Sequence, residues 1–367
     1  MNLDALFTPF AGGGLDLPNR LVMAPMTRWM SPGQMPGADV AAYYRRRAEH
    51  GVGLIVTEGT NVDHPVASQS ARIPAFFGPA LDSWRRIVGE VHEAGGKIVP
   101  QIWHVGAMRA PGGDQPNAHL QSATPSGFHK PGGKPIAEPL SRQEIADIID
   151  SFRRAAADSR AVGFDGVEVH GAHGYILDQF LWEPLNRRDD DYGGDAVQRG
   201  RFAAELIAAM RAEVGEGFPI ILRISQWKQQ DYGARLAETP EQLAAIFRPI
   251  ADAGVDIFHC SQRRYWEPEF PGSPLNIAGW VKQLLGKPVI TVGSVGLAGP
   301  MSTRVVGEAA EVSADLVPLA AGIERGDYDL VAVGRALLAD PEWVEKVRAG
   351  RLDALRPFGK ADLERLW

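Results

Sequence analysis

A single (β/α)₈ barrel (TIM barrel) over residues 1–367 is the fold this sequence predicts, on three observations. Short apolar runs alternate with helix-period segments through the whole chain. The runs are rich in Val, Ile and Leu and bounded by Gly, Pro or charge, as parallel strands buried on both faces should be. No glycine-rich dinucleotide fingerprint follows the first run, which reads Met23-Ala24-Pro25-Met26-Thr27, so an open doubly wound sheet lacks its main signature.

Taken in order, the first expected strand is 21–26, followed by an amphipathic helix over 38–50. Strand 53–57 leads to helix 79–94, which closes on Gly95-Gly96 before strand 97–101. A long irregular segment, 105–139, holds 12 Gly or Pro among its 35 residues and is therefore expected to be a loop over the barrel mouth. Helix 141–162 opens on Ser141 with Glu144 three positions on, a capping box. Strand 166–170 precedes helix 196–214, and strand 219–224 precedes helix 239–253. Strand 256–260 is followed by an aromatic-rich loop, 262–274, and helix 276–285. Strands 288–292 and 329–333, with helices 310–325 and 341–348, complete eight alternations.

Composition narrows the function. A formal net charge of −7 with no long basic run argues against nucleic acid or an anionic membrane as partner. Arg45-Arg46-Arg47, the densest positive cluster, falls in a helix and is expected on a solvated face. Cys260 is the only cysteine, which excludes a disulfide framework, a thiolate zinc site and a Cys-ligated cluster. A lone thiol suits a reducing cytoplasm. The N-terminal MNLDALFTPF lacks the positive segment and apolar core of a secretory leader, and no apolar run of about 18 residues or more occurs. The expectation is a cytoplasmic enzyme acting on a small molecule, without a metal, and compatible with assembly into a homo-oligomer.

In such a barrel the chemistry sits where strands end. The fourth run ends in His170, with His173 and Tyr175 within five residues. Three readings of the two histidines stand open: metal ligands, satisfied core side chains, or donors that hold a substrate oxygen with Tyr175 as proton donor. Arg223 ends an otherwise apolar run, so it either pairs with a carboxylate such as Glu168 or Glu58 or faces an anionic ligand. Gly293-Ser294 and Gly334-Arg335 close the last two runs. They suit a phosphate, or are turn glycines beside a surface arginine.

The segment His170-Gly-Ala-His173-Gly-Tyr175, continued by Asp178-Gln179-Phe180-Leu181 and by 186–194 (NRRDDDYGG), resembles the old yellow enzyme family of flavin-dependent ene-reductases. The resemblance extends through 19–28, 43–48, 57–59, 101–106 and 333–341. It implies a barrel holding FMN noncovalently, reduced by NADH or NADPH and reoxidised by an activated alkene. It places Pro25, Met26, Thr27, Gly59 and Gln101 at the flavin ring, Arg223 at its N1/O2 side, and Gly293, Ser294, Gly334 and Arg335 at the phosphate. His170 and His173 would hold a carbonyl or nitro oxygen. Tyr175 would protonate Cα after hydride reaches Cβ from N5. Trp29 and Trp266 are candidate pocket walls, or packing aromatics. The same family also works oxidatively, on amines or saturated ketones, which is the alternative activity. Larger cluster-bearing relatives are not expected, given one cysteine and an end at Trp367. The least transferable segments are 226–232 and 262–274. They depart from the family pattern, as does Ala107 in place of an arginine.

Overall fold

The computed structural model describes residues 2–109, 112–298 and 309–367. A short hairpin, β1 (Phe10–Gly12) and β2 (Leu15–Leu17), precedes eight parallel strands that close into one barrel. These are β3 (Leu21–Met23), β4 (Leu54–Asn61), β5 (Ile98–Trp103), β6 (Val167–His170), β7 (Ile220–Ser225), β8 (Ile257–Ser261), β9 (Val289–Val292) and β10 (Leu330–Val333). β10 pairs with both β9 and β3, which completes the ring.

The apolar runs contain two alternating faces, both buried, because side chains along a strand repeat every two residues. Val22, Val56, Val99, Ile221, Ile257, Ile290 and Ala332 fill the barrel interior. Leu21, Ile55, Ile98, Ile220 and Phe258 pack outward against the helices. The hairpin plugs the N-terminal end: Phe10, Leu15 and Leu17 join the interior cluster. Its turn is Gly13-Gly14, with φ of 57° and 80°, a conformation that glycine adopts without a Cβ penalty. Nothing in the periodicity announces this plug, since its strands are three residues long.

The outer layer is α1 (Ala38–Glu49), α2 (Ala80–Glu93), α3 (Arg142–Val162), α5 (Arg201–Val214), α6 (Pro240–Asp252), α7 (Ile277–Leu285), α8 (Val317–Glu324) and α10 (Trp343–Arg348). Two short helices sit at the mouth, α4 (Ile176–Leu181) and α9 (Arg335–Ala339). The Ser141/Glu144 capping box is present at α3, and Gly163 closes that helix in the left-handed region. The helix expected over 310–325 begins only at Val317. Ala310 and Val312 instead form isolated bridges to Phe358 and Leu297, and Pro318 in the first turn fixes the helix start. Residues 299–308 and the loop positions 110–111 lie outside the described residues.

One expectation about charge is corrected. Arg47 is not on a solvated face: it is buried, stacks 3.9 Å from the Tyr43 ring centroid and donates to the carbonyls of Tyr43 and Leu337. Carbonyl oxygens at the end of a neighbouring segment can satisfy a guanidinium as a carboxylate would, and helix periodicity alone does not reveal them. Arg45 does face solvent, paired with Glu49 and Glu93.

Candidate active site

The C-terminal ends of the strands surround a cavity of about 290 Å³. Pro25, Met26 and Thr27 after β3, Gln101 on β5 and Arg223 on β7 line it. His170, His173 and Tyr175 after β6, Gly293-Ser294 after β9 and Gly334-Arg335 after β10 complete the wall. Three expected residues are elsewhere. Gly59 stands behind the wall, where a Cβ would lie 2.6 Å from the Trp103 indole, so its missing side chain admits Trp103. Trp29 and Trp266, 40% and 49% exposed, are not among the residues lining the cavity, and Trp266 borders a separate one with Tyr265 and Tyr328.

The two histidines meet through their ring nitrogens. His170 Nε2 lies 3.3 Å from His173 Nδ1, with the rings nearly perpendicular. His170 Nδ1 accepts the Ala172 N–H, which leaves the proton of a neutral ring on Nε2. His173 Nε2 lies 2.7 Å from Ser261 Oγ. Burial, and then the nearby Arg223 charge, holds both imidazoles well below their ordinary pKa, so both are neutral at pH 7. His173 has φ 63°, a left-handed conformation held by its N–H donating to Ser225 Oγ. A stack encloses the pair: Trp103 lies against His170 at 5.9 Å and Trp227 against His173 at 4.3 Å.

Tyr175 packs against both His170 and Trp103, 4.7 Å and 4.8 Å between centroids. Burial raises its pKa, so the phenol is protonated, while hydrogen bonds from Gln229 and Gln69 and the charge of Arg223 favour the phenolate. A hydroxyl held protonated beside groups that stabilise its anion is suited to giving up a proton.

Arg223 is buried, its Nε has no partner, and no hydrogen bond or ion pair engages it among the described residues. The carboxylate that could have paired with it is occupied. Glu168 accepts from Gln101 Nε2 at 2.7 Å and contacts His259 Nδ1 at 2.7 Å. Gln101 thereby has its amide nitrogen turned to Glu168, leaving its carbonyl for the cavity. An unpaired buried guanidinium costs several kcal/mol and is retained where an anion is to be bound.

At the phosphate end, Gly293 adopts φ 151°. A Cβ there would meet Gln262 O at 2.5 Å and the N atoms of Tyr265 and Arg264 at about 3 Å. Only glycine lets the loop after β8 close on the end of β9, which brings Gln262 and Arg263 to the cavity wall. Sequence reasoning missed Trp227, Gln229, Ser261, Gln262 and Arg263. The first two lie in the 226–232 departure after β7, and that departure was the available signal.

The residues fit a flavin mononucleotide: a free buried cation for the ring, an oriented amide beside it, and Gly293, Ser294, Gly334 and Arg335 at one end. Among the described residues no group of three metal-ligating side chains occurs, and no helix is long and apolar enough to cross a membrane.

Fold and site together define a (β/α)₈ barrel of the flavin-binding class. The family described as NADH:flavin oxidoreductase / NADH oxidase matches residues 5–354, and the chain belongs to that family of FMN-dependent oxidoreductases. It is 34% identical over 364 residues to NADH oxidase of Thermoanaerobacter brockii, covering 96% of this chain and 52% of that protein. It is 31% identical to 12-oxophytodienoate reductase 7 of Oryza sativa subsp. japonica, covering 94% of this chain and 87% of that one. The structure of morphinone reductase in complex with tetrahydroNAD superposes with a TM-score of 0.80 at 28% identity, over 98% of this chain and 93% of the other. The chain spans about half the length of the first curated relatives it matches.

Proposed function

We propose that this protein is an FMN-dependent, NADH- or NADPH-consuming ene-reductase acting on α,β-unsaturated carbonyl or nitro compounds. The observation that carries this reading is the convergence of His170 Nε2 and His173 Nδ1 within 3.3 Å, beside a protonated Tyr175. FMN, when bound, supplies the hydride.

The chain's own residues would do the rest. Arg223 and the Gln101 carbonyl would bind and orient the flavin ring, and Arg335, Gly334, Gly293 and Ser294 its phosphate. His170 and His173, neutral and enclosed by Trp103 and Trp227, would donate to the carbonyl or nitro oxygen as it gains negative charge. Each such donor contributes about 10²–10³ in rate. Tyr175 Oη–H would deliver a proton to Cα, with Gln229 and Gln69 stabilising the phenolate left behind. Relatives named oxophytodienoate reductase and morphinone reductase accord with an unsaturated carbonyl substrate.

Steady-state assays of the FMN-loaded protein test it. Oxidation of NADH or NADPH that depends on 2-cyclohexenone or a nitroalkene supports the reading. Turnover only with amines or saturated ketones, using a dye as acceptor, would transfer the assignment to a dehydrogenase. Cytoplasmic location and any homo-oligomer belong to the same proposal and are tested by fractionation and light scattering.

A further inference from the structure

Two donors can hold one oxygen only if both facing nitrogens carry protons. His170 meets this requirement by itself, because its Nδ1 accepts from the Ala172 N–H and its proton is therefore on Nε2. His173 does not. A neutral imidazole has one N–H, and His173 Nδ1 carries it only if Nε2 becomes an acceptor. The one partner of His173 Nε2 among the described residues is Ser261 Oγ, at 2.7 Å. Ser261 is 4% exposed and its hydroxyl has no other hydrogen-bond partner among the described residues. A hydroxyl can either donate or accept, so it tolerates both tautomers of the ring.

Without a ligand oxygen the histidines satisfy each other: His170 Nε2–H points at His173 Nδ1, and His173 Nε2–H points at Ser261. With a ligand oxygen between the two nitrogens, three hydrogen bonds form if Ser261 reverses and donates to Nε2. His170 and His173 then both donate to the ligand. Trp227, packed against the ring at 4.3 Å between centroids, and the Ser225 contact to the His173 N–H keep the ring plane fixed through the change.

We infer that Ser261 is a positioning residue whose hydroxyl selects the Nδ1–H tautomer of His173 when an oxyanion or carbonyl oxygen occupies the site. This rests on the ene-reductase reading of the cavity. It adds a role for the residue that ends β8.

The test uses the FMN-loaded protein and 4-hydroxybenzaldehyde, whose phenolate oxygen imitates the oxygen of a reduced enone. In wild type, ¹⁵N imidazole NMR, assigned against His173→Asn, should show His173 protonated on Nε2 when free and on Nδ1 with phenolate bound. Ser261→Ala should hold the Nε2–H tautomer in both states and bind the phenolate about tenfold more weakly, the value of one hydrogen bond. Ser261→Thr keeps the hydroxyl and should restore both readouts, which a merely structural role would not do. Phenolate bound to wild type with His173 protonated on Nε2, or Ser261→Ala with wild-type affinity, overturns the inference and leaves the ene-reductase reading standing. A wild type that binds no phenolate overturns both.

Discussion

Lys228 and Asp178 form an ion pair, Nζ to Oδ1 2.7 Å, with neither side chain reaching solvent. The pair joins the segment after β7 to the start of α4. Asp178 Oδ2 also accepts the Gly174 N–H at 2.7 Å, and the Gln229 N–H donates to the His173 carbonyl. The loop that carries Trp227 and Gln229 is thus clamped to the turn that carries His173 and Tyr175. Removing one partner strands a buried charge, so Lys228→Met should cost about 3–5 kcal/mol. Lys228→Met with Asp178→Asn should recover much of that, because Asn retains an acceptor for Gly174. Urea denaturation of the wild type and these two variants checks both expectations.

Tyr175→Phe should slow reoxidation by an enone by about 10²–10⁴ while leaving reduction by the nicotinamide nucleotide near wild type. Stopped-flow measurement of the two half-reactions separates them. An equal fall in both would remove Tyr175 from the role of proton donor.

Acid should destabilise the fold through its buried histidines. His104, His170, His173 and His259 all lie below the ordinary 6.5, with burial the first cause in each. The unfolded chain takes up protons near 6.5 that the folded one refuses. Their contribution is therefore present above 6.5 and is lost as pH falls through and below it. The denaturation midpoint should fall between about pH 7 and about pH 5, and His104→Gln, away from the cavity wall, should reduce that slope.

Glu58 acts with the opposite sign. Burial raises its carboxyl to about 7, and its Oε1 has no hydrogen-bond partner among the described residues, while Oε2 accepts the Arg28 N–H. A raised folded-state pKa gives stability that is present below 4.5 and lost as pH rises through 7. Glu58→Gln, which stays neutral, should therefore stabilise the protein more at about pH 8 than at about pH 6. Paired thermal melts at the two pH values measure the difference.

The barrel was legible because its strands are buried on both faces, so each reads as a continuous apolar run whose end marks the site. The polar residues at those ends, His170, His173, Tyr175 and Arg223, stood out against that background. The salt-bridge alternative for Arg223 could not be decided from sequence, since Glu168 is taken by Gln101 and His259 from other strands. Trp227, Lys228 and Ser261 were hidden for the same reason. Each acquires its role from a partner at least 50 positions away. Trp29 and Trp266 were attractive because aromatics near strand ends often line pockets, but both are partly exposed and neither is among the residues lining this cavity. Gly59 matched a motif whose glycine here makes room for Trp103 rather than facing the cavity.

On the proposed function, this cavity passes reducing equivalents from a nicotinamide nucleotide, through FMN, to an activated alkene. The direct measurement is an anaerobic titration. The protein is loaded with FMN, bleached with one equivalent of NADH or NADPH, and then mixed with 2-cyclohexenone while flavin absorbance and product are followed. Full return of the oxidised flavin spectrum, with one cyclohexanone formed per flavin, is the expected result. Failure to bind FMN, or a reduced flavin that the enone leaves unchanged, would contradict it.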